Sequence, residues 1–309
     1  MNTISWNGVY PALLTPFKQN EEIDYDVFAK NIEAQIAAGV NGLIIAGSLG
    51  EASTLSTEEK FDLAKFAIKS SAGRVPVILN IAEPTTKGAI ELAKGAEALG
   101  AAGLMLLPPM RYKADDRETV AFMTAVAEVT NLEIMVYNNP VDYGIFINLQ
   151  MFEELAKYEN IVAVKESTRD ISNIARMKNR FGDRFKILTG VDPLAYESLV
   201  AGADGWVAGL VDAFPEETVT IFNLVKAGQY KAALDIYRWF MPLLELDIHP
   251  KLVQYIKLAA AATGIGTEYV RAPRLTLIGE ERTRVMKVIN DAVAIRPTLP
   301  KTNTEEVTA

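Results

Sequence analysis

Eight times in this chain a short apolar run gives way to sequence of helical period, and that alternation restricts the fold more than any other feature. The runs are Gly8 to Leu14, Gly42 to Gly47, Val75 to Ile81, Gly103 to Pro108, Glu133 to Tyr137, Ile161 to Lys165, Phe185 to Thr189 and Gly205 to Gly209. Between them the spacing predicts helices, among them Tyr25 to Ala38, Thr57 to Ser71, Thr86 to Leu99 and Arg117 to Thr130. Ser56 with Glu59 three residues on predicts a capping box at the start of the second. Strands spaced roughly 25 to 35 residues apart, each followed by a helix, predict an α/β fold, the TIM (β/α)8 barrel. An open doubly wound sheet is the competitor, but the first strand leads into Thr15-Pro16-Phe17 and carries no G-x-G-x-x-G turn.

After residue 215 the strand signals stop. Glu216 to Lys226, Tyr230 to Leu246, Lys251 to Thr263 and Glu280 to Ala294 all have helical period. The first closes the barrel, which divides the chain into a barrel over 1–228 and a C-terminal helical extension over 229–309. The tail from Arg296 to Ala309 is polar, contains Pro297 and Pro300, and is expected to be poorly ordered.

Composition narrows the function by exclusion. Half of the 309 residues are hydrophobic and 23% are charged, the balance of an ordinary globular protein. Cysteine is absent, which removes disulfides and thiolate nucleophiles and fits a cytoplasmic location. With a single histidine, His249, set among Asp247-Ile248-His249-Pro250-Lys251, no metal site is expected and His249 is read as structural. A net charge of −8 opposes binding to nucleic acid. No run of 18 apolar residues predicts a membrane span, and residues 1–8 lack the basic-then-apolar pattern of a secretory signal.

In a barrel of this kind the residues after each strand converge on one mouth. They include Thr15, Gly47-Ser48-Leu49-Gly50-Glu51, Tyr137-Asn138-Asn139-Pro140, Lys165-Glu166-Ser167-Thr168 and Gly190-Val191-Asp192. Lys165 ends a buried strand, where desolvation disfavours its ammonium and makes it a candidate amine nucleophile for a carbonyl. The plainer alternative is a lysine leaving the strand for solvent. Tyr137 is either a strand aromatic or a phenol that moves protons beside that amine. Gly47 and Gly50 either make a tight turn or open backbone amides, with the Ser48 hydroxyl, to a small carboxylate. Asp192 either caps the helix that follows or joins the site.

Taken together, Gly47-Ser48-Leu49-Gly50-Glu51, Tyr137-Asn138-Asn139-Pro140, Val164-Lys165-Glu166 and Gly190-Val191-Asp192 resemble the dihydrodipicolinate synthase / N-acetylneuraminate lyase family of class I aldolases. The resemblance spans nearly the whole chain, from Pro11-Ala12-Leu13-Leu14-Thr15-Pro16-Phe17 to the C-terminal helices. It implies Lys165 as the Schiff-base lysine and Tyr137 as its proton-handling partner, with Gly47, Ser48, Leu49, Gly190, Asp192 and Val207 around the substrate. It also implies no cofactor, a small 2-oxo or 2-imino acid as substrate, and a homotetramer built as a dimer of dimers.

Departures from the family pattern bear on the substrate. Leu49 stands where a second hydroxyl is usual, Asp142 where the synthase carries an arginine for a dicarboxylic substrate, and Pro108-Pro109-Met110 where Pro-Tyr-Tyr supplies a relay tyrosine. The hydroxyl relay is therefore expected to be broken at two of three places, and dihydrodipicolinate synthesis is not expected. The segment Tyr137 to Gly144, with Asp247 to Lys257 and Gly264 to Glu268, looks most like 1-pyrroline-4-hydroxy-2-carboxylate deaminases of hydroxyproline catabolism. A 2-keto-3-deoxy sugar acid aldolase or dehydratase, another pyruvate-dependent lyase, and a non-catalytic ligand sensor are the alternatives.

Overall fold

A computed structural model describes residues 4–109 and 112–300. Its strands are β1 (Gly8–Pro11), β2 (Leu43–Ile45), β3 (Val77–Ile81), β4 (Gly103–Leu106), β5 (Glu133–Asn138), β6 (Ile161–Glu166), β7 (Lys186–Thr189) and β8 (Gly205–Ala208). All neighbours pair in parallel, in the order β1-β8-β7-β6-β5-β4-β3-β2. The seam between β1 and β2 is drawn together by an Ala12–Ile44 bridge, with the Leu13 N–H donating to the Ile44 carbonyl at 2.8 Å. The fold is a TIM barrel. Its strands are predominantly apolar because side chains on one face fill the barrel and those on the other meet the helices.

The helices begin and end where local chemistry dictates. Tyr25–Ala38 starts at Asp24, whose carboxylate accepts the Val27 N–H, and stops at Gly39 in the left-handed region. Thr57–Ser71 carries the capping box of Ser56 and Glu59. The helix expected over Arg117 to Thr130 runs Asp116–Ala127 instead, because Asp115 and Glu118 form a second capping box one step earlier. Tyr230–Leu244 contains Pro242, and the chain beyond tightens into a 3-10 turn over Glu245–Ile248. That turn carries Asp247 to the barrel mouth.

The tail differs from expectation in its first residues. The Arg296 guanidinium pairs with both oxygens of buried Glu217, and Leu299 packs against the core. Met110 and residues 301–309 lie outside the described residues. The helix Leu252–Ala262 ties the extension to the barrel through Lys257, whose Nζ meets Glu51 Oε1 at 2.5 Å with both side chains buried. Among the described residues no helix is long and apolar enough to cross a membrane.

Candidate active site

The site begins with a register. Ile134 on β5 faces Ile161 on β6, but Met135 faces Ala163, so β6 holds one extra residue there. Because side chains alternate along a strand, one residue of slip reverses which face each side chain takes. After the shift Tyr137 lies opposite Lys165 and Asn138 opposite Glu166. Tyr137 and Lys165 then share one face, which lines a cavity of about 590 Å³ at the C-terminal end of the strands. Glu166 takes the other face, accepting from Thr168 N–H and Asn173 Nδ2 at 2.8 Å each.

Lys165 is 7% exposed, and its Nζ sits above the Tyr137 ring, 4.1 Å from the centroid. Burial pushes its ammonium pKa down, opposed by the charges of Tyr143, Asp247, Asp192 and Asp142. Burial likewise pushes the Tyr137 phenol up to about 12, while the hydrogen bond from Asn139 Nδ2, 3.1 Å long, pulls the other way. Lys165 is thus drawn toward a neutral amine, and Tyr137 keeps its proton until something beside it favours the phenolate.

Gly47, Ser48, Leu49, Gly190 and Val207 all line the same cavity. Asp192, expected in the substrate pocket, is not among the residues that line this cavity. Its carboxylate is engaged behind the wall by Trp206 Nε1 at 2.9 Å and by the Gly209 and Leu210 amides, the latter at 2.7 Å. It organises the turn after β8, and burial raises its pKa against those bonds. His249 reaches the cavity rim, stacked on Tyr255 with ring centroids 4.3 Å apart.

Three further side chains line it, of which sequence reasoning placed only Ser167 at the mouth. Tyr143 meets the Tyr137 ring edge-on at 5.5 Å and hydrogen-bonds Ser48 Oγ at 2.5 Å. Asp247 enters from the extension, where burial and then the Asp192 charge raise its carboxyl to about 8. Ser167 lines the cavity with its hydroxyl buried, near enough to the Tyr137 phenol to pull that group's pKa down. Ser167 had a local signal in its place two residues after Lys165, and Tyr143 in its place six residues after Tyr137 in the same motif. Asp142 and Arg169 stand together on the rim, 3.9 Å apart.

A barrel with a desolvated lysine and adjoining phenols at the C-terminal mouth defines a class of enzyme, the lyases that work through a lysine Schiff base. The chain belongs to the dihydrodipicolinate synthetase family, whose model matches residues 5–292. It is 32% identical to a 4-hydroxy-tetrahydrodipicolinate synthase of Kosmotoga olearia, over 94% of this chain and 100% of the relative. Identity to the synthase of Exiguobacterium sibiricum is 36%, over 88% and 92%. A dihydrodipicolinate synthase structure from Bacillus anthracis superposes with a TM-score of 0.89 at 28% identity, over 93% of this chain and 99% of that one. The protein is accordingly an enzyme of the class I, Schiff-base type, and the non-catalytic sensor is set aside.

Proposed function

We propose that Lys165 forms the Schiff base, that Tyr137 moves protons beside it, and that the substrate is 1-pyrroline-4-hydroxy-2-carboxylate. The observation that carries the first part is the pairing of Tyr137 with Lys165 across β5 and β6 in a buried cavity. The second part rests on Asp142, whose carboxylate on the cavity wall disfavours a second substrate carboxylate, and on Asp247, whose buried carboxyl can exchange hydrogen bonds with a substrate hydroxyl or amine.

In this reading the single substrate carboxylate meets Ser48 and the backbone of Gly47 and Leu49, with Gly190 and Val207 shaping the space around it. The neutral Lys165 amine adds to C2 of the protonated ring imine, and the ring nitrogen leaves C2 as an amine. Tyr137 takes a proton from C3 as its own phenol proton passes to the C4 hydroxyl, which departs as water. Tautomerisation and hydrolysis then release ammonia from C5, and hydrolysis of the C2 imine returns Lys165 and 2,5-dioxopentanoate. A homotetramer and a cytoplasmic location belong to the same proposal.

A second reading is pyruvate condensation of the kind named for the relatives, favoured by Arg169 and Arg274 on the cavity wall as possible carboxylate partners. Borohydride reduction with each candidate substrate, followed by mass spectrometry of the Lys165 peptide, separates the two by the mass of the adduct. Ammonia release from the hydroxy-pyrroline is the expected outcome. Turnover of pyruvate with an aldehyde, without ammonia release, would replace the first reading by the second.

A further inference from the structure

A phenol stands where the relay was expected to be incomplete. Tyr143 hydrogen-bonds Ser48 at 2.5 Å, and its ring lies 5.5 Å from that of Tyr137 at an interplanar angle of 85°. Both hydroxyls and Lys165 line one cavity. The Tyr143 loop is also fixed in place. Asn139 caps the short helix Pro140–Tyr143 through the Asp142 N–H, and Gly144 closes it in the left-handed region at φ 73°.

Tyr137 is engaged differently. Its hydroxyl takes the hydrogen bond from Asn139, and it offers Lys165 the face of its ring, not its oxygen. Burial pushes the Tyr143 phenol up, so it holds its proton until a group beside it takes it. Ser48 is exposed, so its hydroxyl joins Tyr143 to bulk water.

We propose that Tyr143 is a catalytic residue that gives its phenol proton to the group expelled when the tetrahedral adduct on Lys165 collapses, and regains one through Ser48. The inference rests on Lys165 as the Schiff-base lysine. With a 2-oxo acid the C–O bond of the carbinolamine breaks, oxygen leaves as water with the Tyr143 proton, and the nitrogen lone pair forms the C=N bond. The phenolate left beside the iminium takes a proton from the Ser48 hydroxyl, which takes one from solvent. With a cyclic imine the same proton goes to the ring nitrogen as its bond to C2 breaks.

Timed borohydride quenching with pyruvate as the probe tests this, with the Lys165 adduct read by mass. Tyr143→Phe keeps the ring contact and removes only the hydroxyl. It is expected to slow imine formation about 100-fold, while the adduct still accumulates at long times. Ser48→Ala should slow it less, and the double variant should be no slower than Tyr143→Phe, because the two hydroxyls act as one path. Imine formation in Tyr143→Phe within about threefold of wild type, against the size ordinary for acid–base catalysis, overturns the role of Tyr143 alone. So does a Ser48→Ala effect that multiplies with that of Tyr143→Phe. Wild-type protein that gives no adduct with pyruvate or with the hydroxy-pyrroline overturns the Lys165 reading, and this inference with it.

Discussion

At Gly190 a β-carbon would lie 2.3 Å from Ser167 Oγ, 2.5 Å from Lys165 Cε and 2.7 Å from Lys165 Cγ. The glycine is there to leave room for the lysine stem, since Cγ is too near the backbone to swing away. Gly190→Ala should displace Lys165 and lower kcat/KM by about 100-fold, the scale of a 1 Å misplacement, with a stability cost of about 1–3 kcal/mol for overpacking. Steady-state kinetics beside urea denaturation would separate the two effects. Asp247 governs pH behaviour. Its ionisation, raised from 3.8 to about 8, favours the charged form of Lys165 as it occurs. Asp247→Asn should therefore free the amine at lower pH, moving the onset of imine formation down in a pH–rate profile. The sign for stability follows from the same shift. Between pH 3.8 and about 8 the folded protein holds a proton that the unfolded chain has lost. This contribution is complete below 3.8 and falls away as pH rises to about 8, so Asp247→Asn should flatten Tm against pH across that range.

Among the elements, the helix Leu252–Ala262 and the loop after β2 depend on one another through Lys257 and Glu51. The Lys257 ammonium also donates to the Tyr269 carbonyl at 2.7 Å and lies 4.4 Å from the centre of the Phe17 ring. Glu51 itself takes a left-handed conformation at φ 57°, directly after the Gly47–Gly50 turn that carries Ser48. Glu51 also meets the Arg274 guanidinium at 3.6 Å and accepts from the Arg271 N–H at 3.2 Å, so removing Lys257 leaves its buried charge only partly compensated. Lys257→Met should cost about 3–5 kcal/mol in urea denaturation, and adding Glu51→Gln should recover much of it. If the double variant is no more stable than Lys257→Met, the cost lies in packing and not in charge.

For the whole molecule, Arg296 reaches back to the last barrel helix, Pro215–Lys226, where Glu217 is fully buried. Truncation after Ile295 leaves that carboxylate without its guanidinium. The expected result is a fall in Tm of roughly 5–10 °C, from a loss of a few kcal/mol spread over a chain of this size. Scanning calorimetry of the truncated and full chains checks it. A midpoint unchanged within about a degree would mean that the ion pair adds nothing net to stability.

Much of the architecture was legible because it is written in periods. Strands of continuous apolar sequence, helices of 3.6-residue period, and caps such as Ser56 with Glu59 are local properties, and they located every barrel strand to within a few residues. Chain order likewise brought Lys165, Tyr137, Ser48, Leu49, Gly47, Gly190 and Val207 to one mouth, since residues that follow parallel strands have nowhere else to converge. The extra residue of β6 was not visible, because a bulge answers to the strand beside it, and it is what turns Lys165 inward opposite Tyr137. Asp192 and Asp247 were beyond reach for the same reason. Whether a carboxylate faces a cavity or a set of buried amides depends on which distant backbone arrives beside it, here Gly209 and Leu210 for Asp192. The sequence alone determined the order of elements and which residues lie at strand ends. Register, loop closure and the burial of charge were decided only in three dimensions, where segments far apart in the chain compete for the same space.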